Sequence, residues 1–178
     1  MADIISHPAR RAAPPAGDAG QLPYDLIELL FFAYRDFVRD ADDLLAEFGF
    51  GRAHHRVLHF VHRNPGLRVT DLLDILKITK QSLGRVLREL IESGFVTQSE
   101  GPQDRRERLL TLTDRGAALA LELSELQSRR MLGALATCED GTREAVTAFL
   151  FAMIEPEDRD AVARLVARPA PERARAKG

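Results

Sequence analysis

The sequence predicts a mainly α-helical fold with one small β-hairpin. Apolar residues recur every three or four positions over most of the span from 22 to 167, as they do on one face of an amphipathic helix. Glycine, proline and asparagine breakers divide that span into segments of helix length. A single pair of short strand-like segments flanks the turn sequence Gly101-Pro102. The length of 178 residues suits one domain.

The first helix is predicted from Tyr24 to Phe48, with Pro23 at its start. Its apolar residues recur with a period of about 3.6 and form a wide face. Gly49 ends it. Two arginines stand against seven acidic residues in this helix. We therefore expect it to repel DNA and to face a partner or solvent.

Three shorter helices follow, each bounded by a capping or breaking residue. They are predicted at Arg52–Arg63, Asp71–Leu76 and Lys80–Ser93. The first stops at Asn64-Pro65-Gly66, which is a strong helix breaker. Thr70 and Thr79 can cap the other two, and Gly94 closes the last. The second and third of these helices are joined by a tight connection at Lys77-Ile78.

Two strands are predicted at Phe95–Ser99 and Arg106–Leu112, joined by a turn at 100–105. Three further helices follow the hairpin, at Asp114–Cys138, Thr142–Ile154 and Pro156–Ala167. Thr113 can cap the first of these. Three helices, of which the last two are tightly joined, followed by a hairpin are the element order of a winged helix-turn-helix.

This order divides the chain into one body and two tails. We expect one domain at 22–167, which contains a winged-helix lobe at about 52–112 and further helices at about 23–48 and 113–167. The segment 1–21 is rich in Ala and Pro, and the segment 168–178 is basic. Both are predicted to be flexible, because neither can bury much apolar surface.

The terminal helices carry more apolar surface than one small lobe can bury. Their apolar residues include Leu119, Leu123, Leu126, Leu132, Phe149, Leu150 and Met153. A two-fold partner would cover this surface, and it would set two DNA half-sites about one helical turn apart. The sequence therefore favours a homodimer over a monomer whose helices pack within the chain.

Composition and motifs exclude several classes of protein. A formal net charge of -2 excludes a uniformly basic DNA-coating protein but not one basic face. Cys138 is the single cysteine, so there is no internal disulfide, and we expect it to be buried or inert. No catalytic or phosphate-binding motif is present, which predicts no enzyme, no cofactor and no metal. Without a membrane span or secretory signal, we expect a cytoplasmic protein.

The fourth helix carries the clearest functional signal. At 100° per residue its apolar side chains fall on one face and Gln81, Gly84, Arg85 and Arg88 on the other. Four basic residues and no acid lie between 77 and 88. Such a helix fits the major groove of B-DNA. Gly84 either allows a close approach to DNA or is simply tolerated at a cost of about 1 kcal/mol.

The predicted turn of the hairpin carries Asp104-Arg105-Arg106-Glu107-Arg108. An arginine at this tip can enter a narrow minor groove, and a neighbouring carboxylate can hold its guanidinium. By itself a charged turn is more often simply solvated. Because it follows a basic helix-turn-helix, we favour the DNA-binding interpretation.

These segments together resemble the MarR family of winged-helix transcriptional regulators. The resemblance covers about 49–121 and is carried by Asn64-Pro65-Gly66-Leu67, Val69-Thr70-Asp71-Leu72-Leu73, Ile78-Thr79-Lys80-Gln81-Ser82, Arg85-Val86-Leu87-Arg88-Glu89-Leu90 and Glu92-Ser93-Gly94-Phe95-Val96. The most specific part is Asp104-Arg105-Arg106-Glu107-Arg108 followed by Leu112-Thr113-Asp114-Arg115-Gly116. The N-terminal tail and the seventh helix depart from the family pattern.

The resemblance implies a homodimer that binds a pseudo-palindromic DNA operator, mostly as a repressor released by a small aromatic or phenolic effector. The span 22–167 would then be a regulator domain, with a DNA-binding lobe at about 52–112 and dimerisation helices at about 23–48 and 113–167. It implies that Arg106 enters the minor groove and that Asp104 orients it. The DNA-binding residues that the resemblance implies are Lys80, Gln81, Ser82, Arg85, Asp104, Arg105, Arg106 and Arg108. The cap and the outward face of the fourth helix add Thr79 and Arg88 to the predicted set.

Histidines crowd the second helix, and His55, His59 and His62 share one face. This stripe could line an effector pocket, bind a metal or sense pH near neutrality. Two rival functions use the same fold: a protein-interaction module, which requires an exposed apolar face on the fourth helix, and a ligand-binding protein that does not bind DNA.

Overall fold

The computed structural model of the chain describes residues 22–169. The predicted tails at 1–21 and, apart from Arg168 and Pro169, at 168–178 lie outside the described residues. The elements in chain order are α1 (Tyr24–Ala46), α2 (Arg52–Arg63), β1 (Leu67–Arg68), α3 (Val69–Leu76), α4 (Lys80–Glu92), β2 (Val96–Glu100), β3 (Arg108–Leu112), α5 (Asp114–Leu135), α6 (Thr142–Ala152), a 3-10 turn (Pro156–Asp158) and α7 (Arg159–Val166). The predicted mainly helical fold is confirmed.

The predicted hairpin is part of a three-stranded antiparallel sheet. Strand β1 has only two residues and pairs with β3, which gives the order β1-β3-β2. Leu67 lies opposite Leu110 and Arg68 opposite Leu109. The sequence prediction missed β1 because two residues are too few to produce an alternating pattern.

Several predicted element boundaries are wrong by one to three residues. The predicted cap Thr70 lies inside α3, because Arg68 leaves β1 in an extended conformation and the helix begins at once with Val69. Helix α5 ends at Leu135, and the next residues form turns in which Cys138 N–H donates to the Leu135 carbonyl. Arg106 and Glu107 belong to the turn before β3 and not to the strand.

The chain divides into two compact units, the first ending at Arg35 and the second beginning at Asp36, within α1. In the first unit every residue from 22 to 35 is exposed. Its exposed large apolar side chains are Leu22, Tyr24, Leu26, Ile27, Leu29, Leu30, Phe31, Phe32 and Tyr34. This part of α1 thus presents apolar groups around its circumference.

The second unit contains the hydrophobic core. Helix α2 lies at its centre and packs against α3, α4, α5 and β3. Val57, Leu58 and Val61 of α2 are fully buried. Helix α1 contributes Ala41 and Leu45 to this core, and the first half of α5 contributes a further set, Leu119, Ala120 and Leu123.

The chain beyond the middle of α5 buries little. Neither α6 nor α7 contains a buried residue. Met131, Leu132, Phe149, Leu150 and Met153 are exposed large apolar side chains. Within residues 22–169, no helix combines the length and apolar character needed to span a bilayer.

Gly116→Ala is expected to destabilise the fold. Gly116 lies in the first turn of α5, and an added Cβ would overlap the Phe95 carbonyl oxygen and come within 2.9 Å of the Phe95 carbonyl carbon. Overpacking of this kind costs about 1–3 kcal/mol. Chemical denaturation should show a correspondingly lower free energy of unfolding.

Gly84→Ala is the matched control, because Gly84 is also helical but no atom lies within 4 Å of an added Cβ. Alanine should raise the stability of α4 by about 0.5–1 kcal/mol. Equal stability of the two variants would contradict the proposed crowding at Gly116.

Candidate nucleic-acid interface

Helix α4 begins at a well-defined cap. The Thr79 hydroxyl oxygen accepts the Ser82 N–H at 3.1 Å, and the Thr79 hydroxyl donates to Ser82 Oγ at 2.9 Å. Thr79 is therefore the predicted N-cap, and both hydroxyl groups already contribute to the start of the helix. Lys77 ends α3 in the left-handed conformation, with φ of 50°, which lets α4 follow after a short turn.

The two faces predicted for α4 are observed. Leu83, Val86, Leu87 and Leu90 are buried, and Ile91 is partly buried against the core. The opposite face is exposed and consists of Lys80, Gln81, Gly84, Arg85 and Arg88. The protein-interaction alternative required an exposed apolar face on α4, and this face is polar.

Three of the four basic residues predicted at 77–88 have unpaired side chains. Lys80, Arg85 and Arg88 form no ion pair with any residue in the described part of the chain. Lys77 differs, because its Nζ lies 3.0 Å from Asp158 Oδ1 in the 3-10 turn before α7. The net free charge of this region is therefore smaller than the count of basic residues suggests.

The turn between β2 and β3 is held by its own main chain. Gly101 N–H donates to the Glu107 carbonyl at 3.1 Å, and Glu107 N–H donates to the Asp104 carbonyl at 3.0 Å. Asp104 Oδ1 accepts the backbone N–H of Arg106 at 2.8 Å. The predicted contact of Asp104 with the Arg106 guanidinium is not present. The carboxylate orients the Arg106 backbone instead.

The two arginines of this turn and Arg108, which follows it at the start of β3, have different surroundings. Arg108 Nη1 donates to the Arg105 carbonyl at 2.6 Å, so this side chain stabilises the turn. Arg105 has a side chain that is 91% exposed, and its Nε is 4.0 Å from Glu100 Oε2. The Arg106 guanidinium pairs with no group among residues 22–169 and is free to bind a ligand.

A buried histidine of α2 contacts a carboxylate of α4. His54 Nε2 lies 2.6 Å from Glu89 Oε2, and His54 Nδ1 accepts the Gly51 N–H at 3.1 Å. Because Nδ1 is an acceptor, the proton of the neutral ring is on Nε2 and is donated to Glu89. Sequence reasoning missed this pair, since its members are 35 residues apart.

Aromatic rings and one arginine join the end of α4 to α5. The Arg115 guanidinium lies 4.1 Å from the centre of the Phe95 ring, and its Nη1 donates to the Ser93 carbonyl at 2.9 Å. Phe48 and Phe50 meet Phe95 edge to face. These contacts connect the residues that follow α4 to α5 and to the segment between α1 and α2.

The histidine stripe of α2 is partly withdrawn from solvent. His55 is buried and His59 and His62 are half-buried. Burial lowers the pKa of all three imidazoles, although Asp42 opposes this at His55. The described residues contain no group of three His, Cys, Asp or Glu side chains arranged to hold a metal ion.

Cys138 was expected to be buried or inert, and the first of these alternatives is wrong because the residue is exposed. Its thiol donates to the Ala134 carbonyl at 3.4 Å. It lies in the turn that follows α5, and not on α4 or in the turn between β2 and β3.

Comparison with known proteins identifies the family. Residues 48–107 match the profile of the MarR family. The HTH-type transcriptional regulator PetP of Rhodobacter capsulatus is 48% identical over 133 residues, which are 75% of this chain and 80% of PetP. The chain belongs to the MarR family. It is accordingly a DNA-binding transcriptional regulator of the winged helix-turn-helix type and not an enzyme.

Solved structures agree with this MarR fold. A MarR protein from Peptoclostridium difficile superposes with a TM-score of 0.64 at 20% identity, covering 83% of this chain and 94% of that one. A MepR–DNA complex from S. aureus gives a TM-score of 0.58 at 20% identity, covering 75% of this chain and 97% of MepR.

Acidification is expected to destabilise the protein through the histidine stripe. The folded state lowers the pKa of His55 and His59 below the ordinary value of 6.5, so it favours their neutral forms. The contribution of these two histidines to the free energy of unfolding is fully present above pH 6.5. It is lost as the pH falls towards their folded-state pKa values. Urea denaturation at pH 7.5 and pH 5.5 measures this loss.

The double variant His55→Gln/His59→Gln is the control for this effect. Its free energy of unfolding should depend less on pH over the same interval, because glutamine does not titrate. An identical pH dependence in the variant and the wild type would assign the effect to other groups.

Proposed function

We propose that this chain is a homodimeric repressor that binds a pseudo-palindromic operator and leaves it when a small aromatic or phenolic effector binds. The observation that carries the proposal is the exposed face of α4, on which unpaired cationic and amide groups project from a rigid, capped helix. The free guanidinium of Arg106 lies on the neighbouring turn and adds a second group with the same chemistry.

On α4 we assign different contacts to different side chains. Lys80, Arg85 and Arg88 would bind phosphates, which supply most of the affinity. Gln81 would read a base edge in the major groove, since a side-chain amide can pair with adenine. Thr79 and Ser82 would act through the helix N-terminus that they cap, where N–H groups favour a phosphate.

In the wing, we define the turn by residues 101–107. Arg106 would enter the minor groove and Arg105 would contact the backbone, since both side chains are available for this. Asp104 and Arg108 would support them indirectly, through the Arg106 N–H and the Arg105 carbonyl. Arg108 is thus proposed as a supporting residue and not as a direct contact.

Exposed apolar surface supports the homodimer. Phe149 and Leu150 of α6 and Met153 directly after it are about half exposed, at 52%, 45% and 53%. The described part of the first unit is likewise apolar and exposed. Exposed apolar side chains in such number are typical of an interface. A second copy burying it would make two α4 helices available to two half-sites.

For the effector we propose a site beside α2 that includes His55, His59 and His62. The partial withdrawal of this stripe from solvent and the chemistry of its imidazoles support this part of the proposal. A neutral imidazole offers one donor and one acceptor, and both can pair with a phenolic hydroxyl.

Arg106→Ala is expected to weaken operator binding while leaving the fold intact. The probe is the duplex that the full-length wild-type chain selects from a random-sequence DNA library. Loss of one good contact in the minor groove should cost about 1–3 kcal/mol. Fluorescence anisotropy at a fixed salt concentration measures the affinity of both proteins.

Arg56→Ala is the control for Arg106→Ala, because Arg56 is an exposed arginine of α2 for which we propose no DNA contact. It should bind the duplex almost as the wild type does. Unchanged affinity of Arg106→Ala would remove the wing from the mechanism.

Phe149→Glu is expected to convert the dimer into monomers and to abolish tight operator binding. A carboxylate in a buried apolar interface would be strongly unfavourable. Sedimentation equilibrium should give the mass of a dimer for the wild type and of a monomer for the variant.

Gln98→Glu adds the same charge to an exposed position of β2 and should remain dimeric. A wild-type chain that is monomeric at micromolar concentration would contradict the homodimer.

A further inference from the structure

Arg68 connects the helix-turn-helix to the wing through a fully engaged side chain. Its Nε and Nη2 donate to the two carboxylate oxygens of Asp71, both at 2.9 Å, in the first turn of α3. Its Nη1 donates to Glu107 Oε1 at 3.2 Å, at the end of the wing turn. One guanidinium thus joins the end of β1, the start of α3 and the wing.

The geometry makes this connection directional. A bidentate arginine–carboxylate pair fixes the plane of the guanidinium, because two parallel hydrogen bonds hold it. With the plane fixed by Asp71, the third nitrogen can point in only a narrow range of directions, and Glu107 lies in that range. Hydrogen bonds to both acids raise the pKa of Arg68 further above its ordinary value.

Glu107 connects the fixed guanidinium of Arg68 to the wing turn. Its Cβ and Oε2 both lie 3.0 Å from the point where a Cβ on Gly101 would be, so the side chain packs closely over a buried glycine. The main chain of Glu107 bonds to Gly101 and Asp104. Asp104 in turn accepts the Arg106 N–H. A continuous set of contacts therefore runs from Arg68 to the backbone of Arg106.

Stability of the fold explains only part of this arrangement. The side chain of Arg68 is 50% exposed and both acids are 36% exposed. Exposed ion pairs contribute about 0–1 kcal/mol to folding, and a bidentate pair within a network lies towards the upper end of that range. Their effect on geometry is larger, since a hairpin tip has few other contacts and its motion must be restricted when it binds.

We propose that Arg68 is a positioning residue for DNA binding: through Glu107 it holds the wing at a set distance from α3 and α4, so that Arg106 meets the minor groove while α4 occupies the major groove. The inference rests on the proposed DNA contact of Arg106. It differs from a role in which Arg68 itself binds a phosphate.

The test is a set of affinity measurements on the full-length chain with the selected duplex described above. Arg68→Ala should weaken binding by about threefold to tenfold, the scale expected for the loss of one ordered side chain. Glu107→Ala should weaken it to a similar extent, although it removes a negative charge near DNA. The double variant should be no weaker than either single variant, because both changes break the same connection.

Two further comparisons separate positioning from charge. Glu107→Gln keeps the packing over Gly101 and an acceptor for Arg68, so it should retain most of the affinity that Glu107→Ala loses. If charge alone mattered, both variants would bind more tightly than the wild type. In an Arg106→Ala background, Arg68→Ala should have little further effect, since the group that it positions is absent.

Hydrogen exchange gives a readout without DNA. Amide protons of Arg106 and Glu107, which bond to Asp104, should exchange faster in Arg68→Ala than in the wild type, while the melting temperature stays within a few degrees. Unchanged exchange would contradict the restraint.

Three outcomes would overturn the inference. Equal losses from Arg68→Ala in both backgrounds, with a lower salt dependence, would make Arg68 a phosphate contact. No loss from Arg68→Ala beside a clear loss from Arg106→Ala would refute positioning and leave the proposed function intact. No loss from Arg106→Ala would refute the wing contact itself, and positioning with it.

Discussion

Burial of one face of α4 is the constraint on which the interface depends. Leu83 and Leu90 are almost completely buried, so the helix cannot rotate about its axis without exposing them to water. Removing such a side chain from the core costs about 2–5 kcal/mol, far more than any exposed polar contact on the other face contributes. The orientation of Gln81, Arg85 and Arg88 is thus a result of packing and does not require their own interactions.

Two polar contacts further restrict the position of α4, which packing of its apolar face determines. The His54–Glu89 hydrogen bond limits movement of α4 relative to α2, and the Arg115 contacts join the end of α4 to α5. The wing has no equivalent apolar support at its tip, because residues 102–106 are exposed. Its position consequently depends on hydrogen bonds, which are directional but individually weak. The proposed interface therefore combines a rigid element, α4, with an adjustable one, the tip of the wing.

Much of this arrangement could be predicted from local sequence. The bounds of α2 and the cap of α4 at Thr79 were predicted correctly, because breakers and capping residues act within a few positions. The two faces of α4 followed from periodicity. Strand β1, the His54–Glu89 pair and the Arg68–Glu107 pair could not be predicted, since each depends on residues far apart in the chain. The surroundings of Asp104 and Arg108 also required coordinates, because a charge pattern does not distinguish backbone from side-chain partners.

The contact of Lys77 with Asp158 links the helix-turn-helix to a segment outside it. Arg168 at the end of α7 hydrogen-bonds to Asn64, and Arg63 donates to the Arg168 carbonyl at 2.6 Å, so the last helix is attached to the lobe at both of its ends. A chain shortened after α6 would consequently expose one more ammonium group, that of Lys77, next to α4. Truncated and full-length proteins would then differ in non-specific attraction to polyanions, even with identical folds in the lobe itself.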